Sequence, residues 1–274
     1  MRGVRLPGWL VYPWLVLMLL FIALGRREHA DAPPPPPPLS AGEGVALAQT
    51  SPIDPAVLVR VRSKGGADLG AAFSVGDAGV WLTARSVVAG CAHPAVMVSD
   101  TDGVAATVSP GRGEAAVLVT AKGAPALPIA AEPPKPGELA FAPGFPHGRP
   151  GEVALRLLGA ERLHVRDRVQ RELPVLAWAE LGRTENLKGA LAGLFGAPAL
   201  DGEARVVGVT LAEAPRRGRI YTTTPGELAT PLAAAKIAHG PQASGAVITP
   251  ENYGLAADDL RRALRIAPVA CLRR

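Results

Sequence analysis

Apolar positions fall into three regimes along this chain. From Leu6 to Leu24 no charged residue interrupts them, over about the 20 residues that a membrane-crossing helix requires. From Ile53 the pattern changes to short runs of strand length, broken by Gly and Pro about every eight to twelve residues, the rhythm of an all-β barrel or sandwich. The runs 57–62, 69–75, 80–84, 95–98, 104–108 and 115–120 predict a first barrel of six strands. The stretch 123–137 holds five prolines and reads as a crossover, since Pro cannot donate to a central ladder. The runs 138–141, 153–163, 175–179, 199–200, 205–211 and 219–224 predict a second set of six. Past Pro225 the apolar spacing becomes three and four residues, which predicts helices over 226–239 and 250–266. Thr249 is placed as N-cap of the second and Pro250 as its first residue.

Arg2 and Arg5 precede the N-terminal apolar run, and Arg26 and Arg27 follow it. Ala30-Asp31-Ala32 has the small-x-small form of a signal cleavage site, but charges precede it and Pro33 follows directly, which disfavours cleavage. The α-amino group tips the charge balance toward an inside N-terminus. The reading is therefore a single-pass signal anchor with its globular part in the periplasm or outside the cell, a cleaved signal peptide being the alternative. Pro33 to Pro38 extend as polyproline II over roughly 19 Å and serve as a stalk. Four regions result: 1–31, cytoplasmic tip and anchor; 32–52, Pro-rich linker; 53–225, β-barrel domain; 226–274, helical extension.

Length changes little in this picture: 274 residues hold one domain with a sizeable core plus these extras. The formal charge of +5 and pI near 9.6 do not point to nucleic acid. Four of the basic residues flank the membrane run, the others are scattered, and aromatic residues make up only 4% of the chain, so there is no basic stripe interleaved with aromatics. None of His29, His93, His147, His164 and His239 stands at ligand spacing from Cys, Asp or another His, so neither a metal nor a cofactor is expected.

Three blocks carry the candidate chemistry. Thr83-Ala84-Arg85-Ser86 ends a hairpin that turns at Gly76, Asp77 and Gly79. Glu114-Ala115-Ala116-Val117-Leu118 forms the second block. The third is Gly193-Leu194-Phe195-Gly196-Ala197-Pro198, followed by Asp201-Gly202-Glu203 and Val206-Val207-Gly208-Val209-Thr210. In this order the blocks resemble the trypsin-like serine peptidases of the Deg type. There T-A-x-H carries the general base, D-x-A-x-L the orienting Asp and G-D-S-G-G-P the nucleophile. Gly144-Phe145-Pro146 is similar to that family's G-x-P segment. The resemblance spans 57–225 and implies a trypsin-like double six-stranded β-barrel with C-terminal helices. About 50 residues follow it, too few for the PDZ domain common in Deg-type relatives.

Carried over residue by residue, the resemblance puts Ser86 at the base position, Glu114 at the orienting position and Phe195 at the nucleophile position. Acyl transfer needs a nucleophilic oxygen and a base titrating near neutrality. Phe195 offers no nucleophile and Ser86 cannot hold the proton, so Glu114 has nothing to orient. The backbone N–H groups of Gly193 and Phe195 remain as an oxyanion-type nest that would bind without reacting. In the family an extended substrate pairs with the strand edge that corresponds to Thr210, Leu211 and Ala212. Phe195 either adds apolar surface to that groove or turns inward and plugs it. His147 is placed in an exposed turn. Cys91 and Cys271 are even in number outside the cytoplasm, which permits a disulfide, free thiols being the alternative.

The expected protein is thus a membrane-anchored pseudo-peptidase that touches the membrane through 6–24 and binds a polypeptide or scaffolds in the envelope. An active hydrolase using other residues and a structural envelope protein without a cleft ligand are the alternatives.

Overall fold

A computed structural model of the chain describes residues 16–18, 56–59, 70–111, 113–166, 170–184, 187–234 and 247–272. Its strands are β1 (Ala56–Val59), β2 (Gly70–Gly76), β3 (Val80–Ala84), β4 (Pro94–Met97), β5 (Gly103–Val108), β6 (Ala115–Thr120), β7 (Leu139–Gly144), β8 (Gly151–Arg166), β9 (Gln170–Arg183), β10 (Pro198–Leu200), β11 (Val206–Ala214), β12 (Arg219–Thr222) and β13 (Ile266–Cys271). The α-helices among the strands are α1 (Arg85–Val88), α2 (Pro225–Ala234) and α3 (Tyr253–Arg262).

The first barrel closes in the order β13-β2-β3-β6-β5-β4. The second runs β8-β7-β10-β11-β12-β9 and closes because β9 also pairs with β8. The two barrels expected from the sequence are present, with one exchange of strands. The run expected to open the first barrel, now β1, instead pairs in parallel with the second, from Ala56 opposite Arg162 to Val59 opposite Val165. Its place is taken by β13, from the stretch 226–274 that read as a helical extension. The predicted helix over 250–266 ends at Arg262, and Leu264 then takes a φ of 53° as the chain turns into β13. Pro268 is tolerated within this strand. It faces Ala71, whose own amide donates to the Phe195 carbonyl (2.8 Å), so that position of the ladder loses no donor to the proline.

The wall β2-β3-β6 explains why its runs are continuously apolar. Phe73, Val75, Leu82, Ala115 and Val117 belong to a core shared with the second barrel, whereas Ala72, Trp81, Ala116 and Leu118 belong to a smaller core of the first. A strand buried on both faces has no polar face to alternate with. Each barrel holds a buried Trp whose indole N–H is met by a Thr hydroxyl, Trp81 by Thr120 (3.0 Å) and Trp178 by Thr222 (2.9 Å), as burial of an indole requires.

The crossover meets the second barrel at a parallel bridge, Ile129 to Val206, and again where the Gly137 amide donates to the Leu157 carbonyl (2.9 Å). Cys91 and Cys271 form a disulfide that ties the segment after α1 to the end of β13. Among the described residues no helix is long and apolar enough to cross a membrane. Apart from 16–18, which are helical, the anchor and linker expectations lie outside the described residues.

Candidate functional site

The three sequence blocks meet where the barrels join. β3 ends at Ala84 and runs straight into α1, so Ser86 lies one residue past Arg85. The Arg85 amide donates to the Glu114 carbonyl (2.6 Å), and its guanidinium reaches the carbonyls of Gly113 (2.5 Å) and Ala115 (3.2 Å). This sets the start of α1 against the start of β6.

From the other barrel, the loop 193–197 is wedged onto β2 and β3. The Phe195 carbonyl accepts from Ala71, and Gly196 lies so close that a Cβ there would stand 2.2 Å from the Ala71 carbonyl oxygen and 2.3 Å from the Thr83 hydroxyl. Gly196 also has a φ of +84°, so both sterics and conformation call for glycine. Gly193 is as tightly placed, with the Phe145 carbonyl oxygen 1.9 Å from where its Cβ would be, and its own carbonyl accepts from the Phe145 amide (3.2 Å). The Gly144-Phe145-Pro146 segment thus braces the loop from behind.

Ser86, Glu114 and Phe195 are each half-buried at this junction, and Gly193 is buried. Gly193 lies in the 3-10 turn Ala192–Leu194, where the Leu194 amide donates to the Leu191 carbonyl (2.8 Å). Thr210, Leu211 and Ala212 are 0%, 6% and 2% exposed. Thr210 already accepts from the Gly196 amide and donates to the Ala197 carbonyl, both at 2.9 Å.

Among the described histidines, His93 is half-buried and its carbonyl accepts from Leu272 (2.9 Å). His147 is exposed, with its ring Nε2 3.2 Å from the Lys188 carbonyl, and His164 faces Glu172 (3.3 Å). His29 and His239 lie outside the described residues. No group of three His, Cys, Asp or Glu side chains among the described residues is placed to hold a metal.

Two further supports of the site escaped sequence reading. The Glu213 carboxylate takes the Leu191 amide with both oxygens, each at 2.8 Å, and pins the loop ahead of Gly193. Burial raises its pKa, against the lowering pull of that amide and of Arg183. The signal for it was faint, because the strand read as ending at 211 continues to Ala214. The second support is Arg261 of α3, which donates to the carbonyls of Gly144 (3.2 Å) and Gly151 (2.8 Å) and to the Glu152 carboxylate (2.5 Å), and stacks 5.7 Å over the Phe145 ring. It bolts the C-terminal helix to the segment that carries Phe145. Burial raises the Glu152 pKa, and Arg261 opposes the rise. A contact across 109 residues leaves no local trace in the sequence.

No family model and no curated protein matches the chain. Solved structures do. The active form of the Rv3671c protease from M. tuberculosis aligns at a TM-score of 0.52 and 20% identity, over 75% of this chain and 99% of that one. The inactive form of the same protease gives 0.47 and 25%, over 61% of this chain and 87% of that one. The HtrA-type protease AlgW, solved with a decapeptide, gives 0.48 and 16%, over 61% and 51%. With its two closed six-stranded barrels and a motif loop wedged between them, the chain shares the double-barrel fold of the Rv3671c protease.

Proposed function

We propose that this protein is a pseudo-peptidase, a trypsin-like double barrel that binds or scaffolds polypeptide partners in the cell envelope without hydrolysing them. The observation that carries the reading is the set of side chains where the motif blocks converge. The nucleophile position holds Phe195, which has no nucleophilic atom, and the base position holds Ser86, which has no basic group. The apolar run 6–24 supports attachment to the membrane.

The test is direct. The full-length chain should hydrolyse neither casein nor small esters and should take up no fluorophosphonate; stoichiometric labelling overturns the proposal.

A second reading, a structural envelope protein with nothing in the cleft, draws on the burial of Thr210, Leu211 and Ala212. Phe195 separates the two. It is half-buried, and seating the rest of its ring against a partner would contribute on the order of 1 kcal/mol. A Phe195→Asp variant should lose partners crosslinked in the native membrane while its thermal midpoint stays within a few degrees. Unchanged crosslinking, or a large drop in the midpoint, assigns the ring to the interior and favours the structural reading.

A further inference from the structure

Beside the motif loop, three surface turns of the second barrel are tied into one rim. The turn Pro215–Arg217 ends at Gly218, whose carbonyl accepts from the Glu180 amide (2.9 Å). The Glu180 carboxylate holds the Arg183 guanidinium through both oxygens, each at 2.5 Å. Arg183 in turn donates to the carbonyls of Leu187 (3.4 Å) and Gly189 (3.0 Å). Between them, the Lys188 carbonyl takes the Nε2 proton of His147 (3.2 Å), which sits on the turn Pro146–Gly148. Glu213 fixes the same rim to the motif loop through the Leu191 amide.

Charge is divided unevenly across this network. Its carboxylates are spent on the scaffold: the Glu180 side chain is 15% exposed and closed on Arg183, and Glu213, half-buried, holds the Leu191 amide. What the turns present to solvent is cationic. Arg149, Lys188 and Arg216 are exposed, and none of the three carries an ion pair among the described residues. Elsewhere Arg162, Arg205, Arg219, Arg261 and Arg262 each meet a carboxylate, and Arg217, the neighbour of Arg216, is offset by Glu161. The described turn residues, 146–149, 187–190 and 215–218, include no acidic residue.

Exposed cations without a counter-charge, next to the loop that carries Gly193 and Phe195, attract an anionic partner and select it over a neutral one. The three turns also lack any aromatic residue on which a base could stack, so a single-stranded nucleic acid finds charge there and nothing more. We propose that the rim formed by Arg149, Lys188 and Arg216 receives an acidic segment of the polypeptide partner, an assignment that rests on the pseudo-peptidase reading and adds to it the chemistry of what is bound.

The probe is a fluorescein-labelled oligo-glutamate peptide, titrated by fluorescence anisotropy against the full-length chain in non-ionic detergent. Oligo-glutamine of the same length is the uncharged counterpart, and oligothymidylate is a second polyanion. Oligo-glutamate should bind saturably and oligo-glutamine should not, with affinity falling several-fold as salt rises from about 0.05 to about 0.2 M. Lys188→Glu with Arg216→Glu should weaken oligo-glutamate binding roughly tenfold or more, because each exposed attraction becomes a repulsion. Lys122→Glu with Lys135→Glu changes the net charge equally at exposed positions off the rim, and should leave binding within about twofold, since distant exposed charges are screened. No saturable binding, equal losses in the two double variants, or oligothymidylate bound as tightly as oligo-glutamate each overturns the assignment. Cleavage of the peptide, read by mass spectrometry, instead overturns the pseudo-peptidase reading on which it rests.

Discussion

Replacing Arg261 by Met keeps an aliphatic stem over Phe145 while removing the charge that faces Glu152. The structure makes this an unequal exchange. The Glu152 side chain is 5% exposed and that of Arg261 9%, so the carboxylate left behind is buried, and the carbonyls of Gly144 and Gly151 lose a donor as well. Breaking one side of such a pair costs about 3–5 kcal/mol, a large part of a typical total of about 5–15 kcal/mol. The pH dependence carries a definite sign. In the folded parent the Glu152 pKa already stands above its ordinary value, because burial outweighs Arg261. Without Arg261 it stands higher still, so the folded variant takes up a proton at higher pH than the unfolded chain. Its deficit is therefore full near neutrality and shrinks as the pH falls through that raised pKa. Urea unfolding of both full-length proteins at about pH 7 and about pH 5 measures this, and other carboxylates cancel in the difference. The double variant Glu152→Leu, Arg261→Met should recover most of the loss, since an apolar pair of similar volume is often neutral or stabilising. A loss below about 1 kcal/mol at neutral pH, the scale of an exposed pair, or a deficit that grows on acidification would refute the reasoning.

Gly196→Ala forces a Cβ to 2.2 Å from the Ala71 carbonyl oxygen at a φ of +84°; a loss of about 2 kcal/mol or more in urea unfolding is expected, and a neutral result would mean that the loop does not sit against β2. Replacing Cys91 and Cys271 together by Ser removes a crosslink across 180 residues. The chain-entropy ceiling for such a loop is about 5 kcal/mol, so chemical unfolding should show a drop of about 3 kcal/mol once residual structure in the unfolded chain is allowed for. A drop below about 1 kcal/mol would show that β13 holds the barrel closed without it.

What the sequence made legible is what short segments decide for themselves. Gly193 and Gly196 are required by close backbone approach, and Thr83 by its hydroxyl bond to the Ala71 carbonyl (2.6 Å). These residues hold the loop whatever side chain stands at 195, so a fold signal survives where the catalytic residues of the resemblance are replaced. Partner choice is another matter. Both 57–62 and 266–271 are short apolar runs of strand length, and nothing within either states which barrel it joins. The segment 60–69 is long enough to span about 30 Å, so β1 need not lie beside the strand that follows it. Nor does Pro268 betray β13 as a strand, because the register that excuses it exists only once Ala71 has given its amide to Phe195.

That last contact links the site to the closure of the first barrel. The Ala71 amide, turned toward the motif loop of the second barrel, belongs to the strand on which β13 docks. On its other edge β13 pairs with β4, from Val269 opposite Val96 to Cys271 opposite Pro94. Without β13, both β2 and β4 would present unpaired edges, the state most prone to association between chains. The helix before it, α3, is held to the second barrel by Arg261 and Glu152. Closure of the first barrel therefore depends on a strand delivered from the surface of the second. The same short C-terminal stretch closes one barrel and, through Arg261 and Phe145, backs the loop that carries Gly193 and Phe195. A disulfide at the end of β13 secures both at once, which accounts for a crosslink between Cys91, just beyond the block that carries Ser86, and Cys271, at the end of the strand that completes the fold.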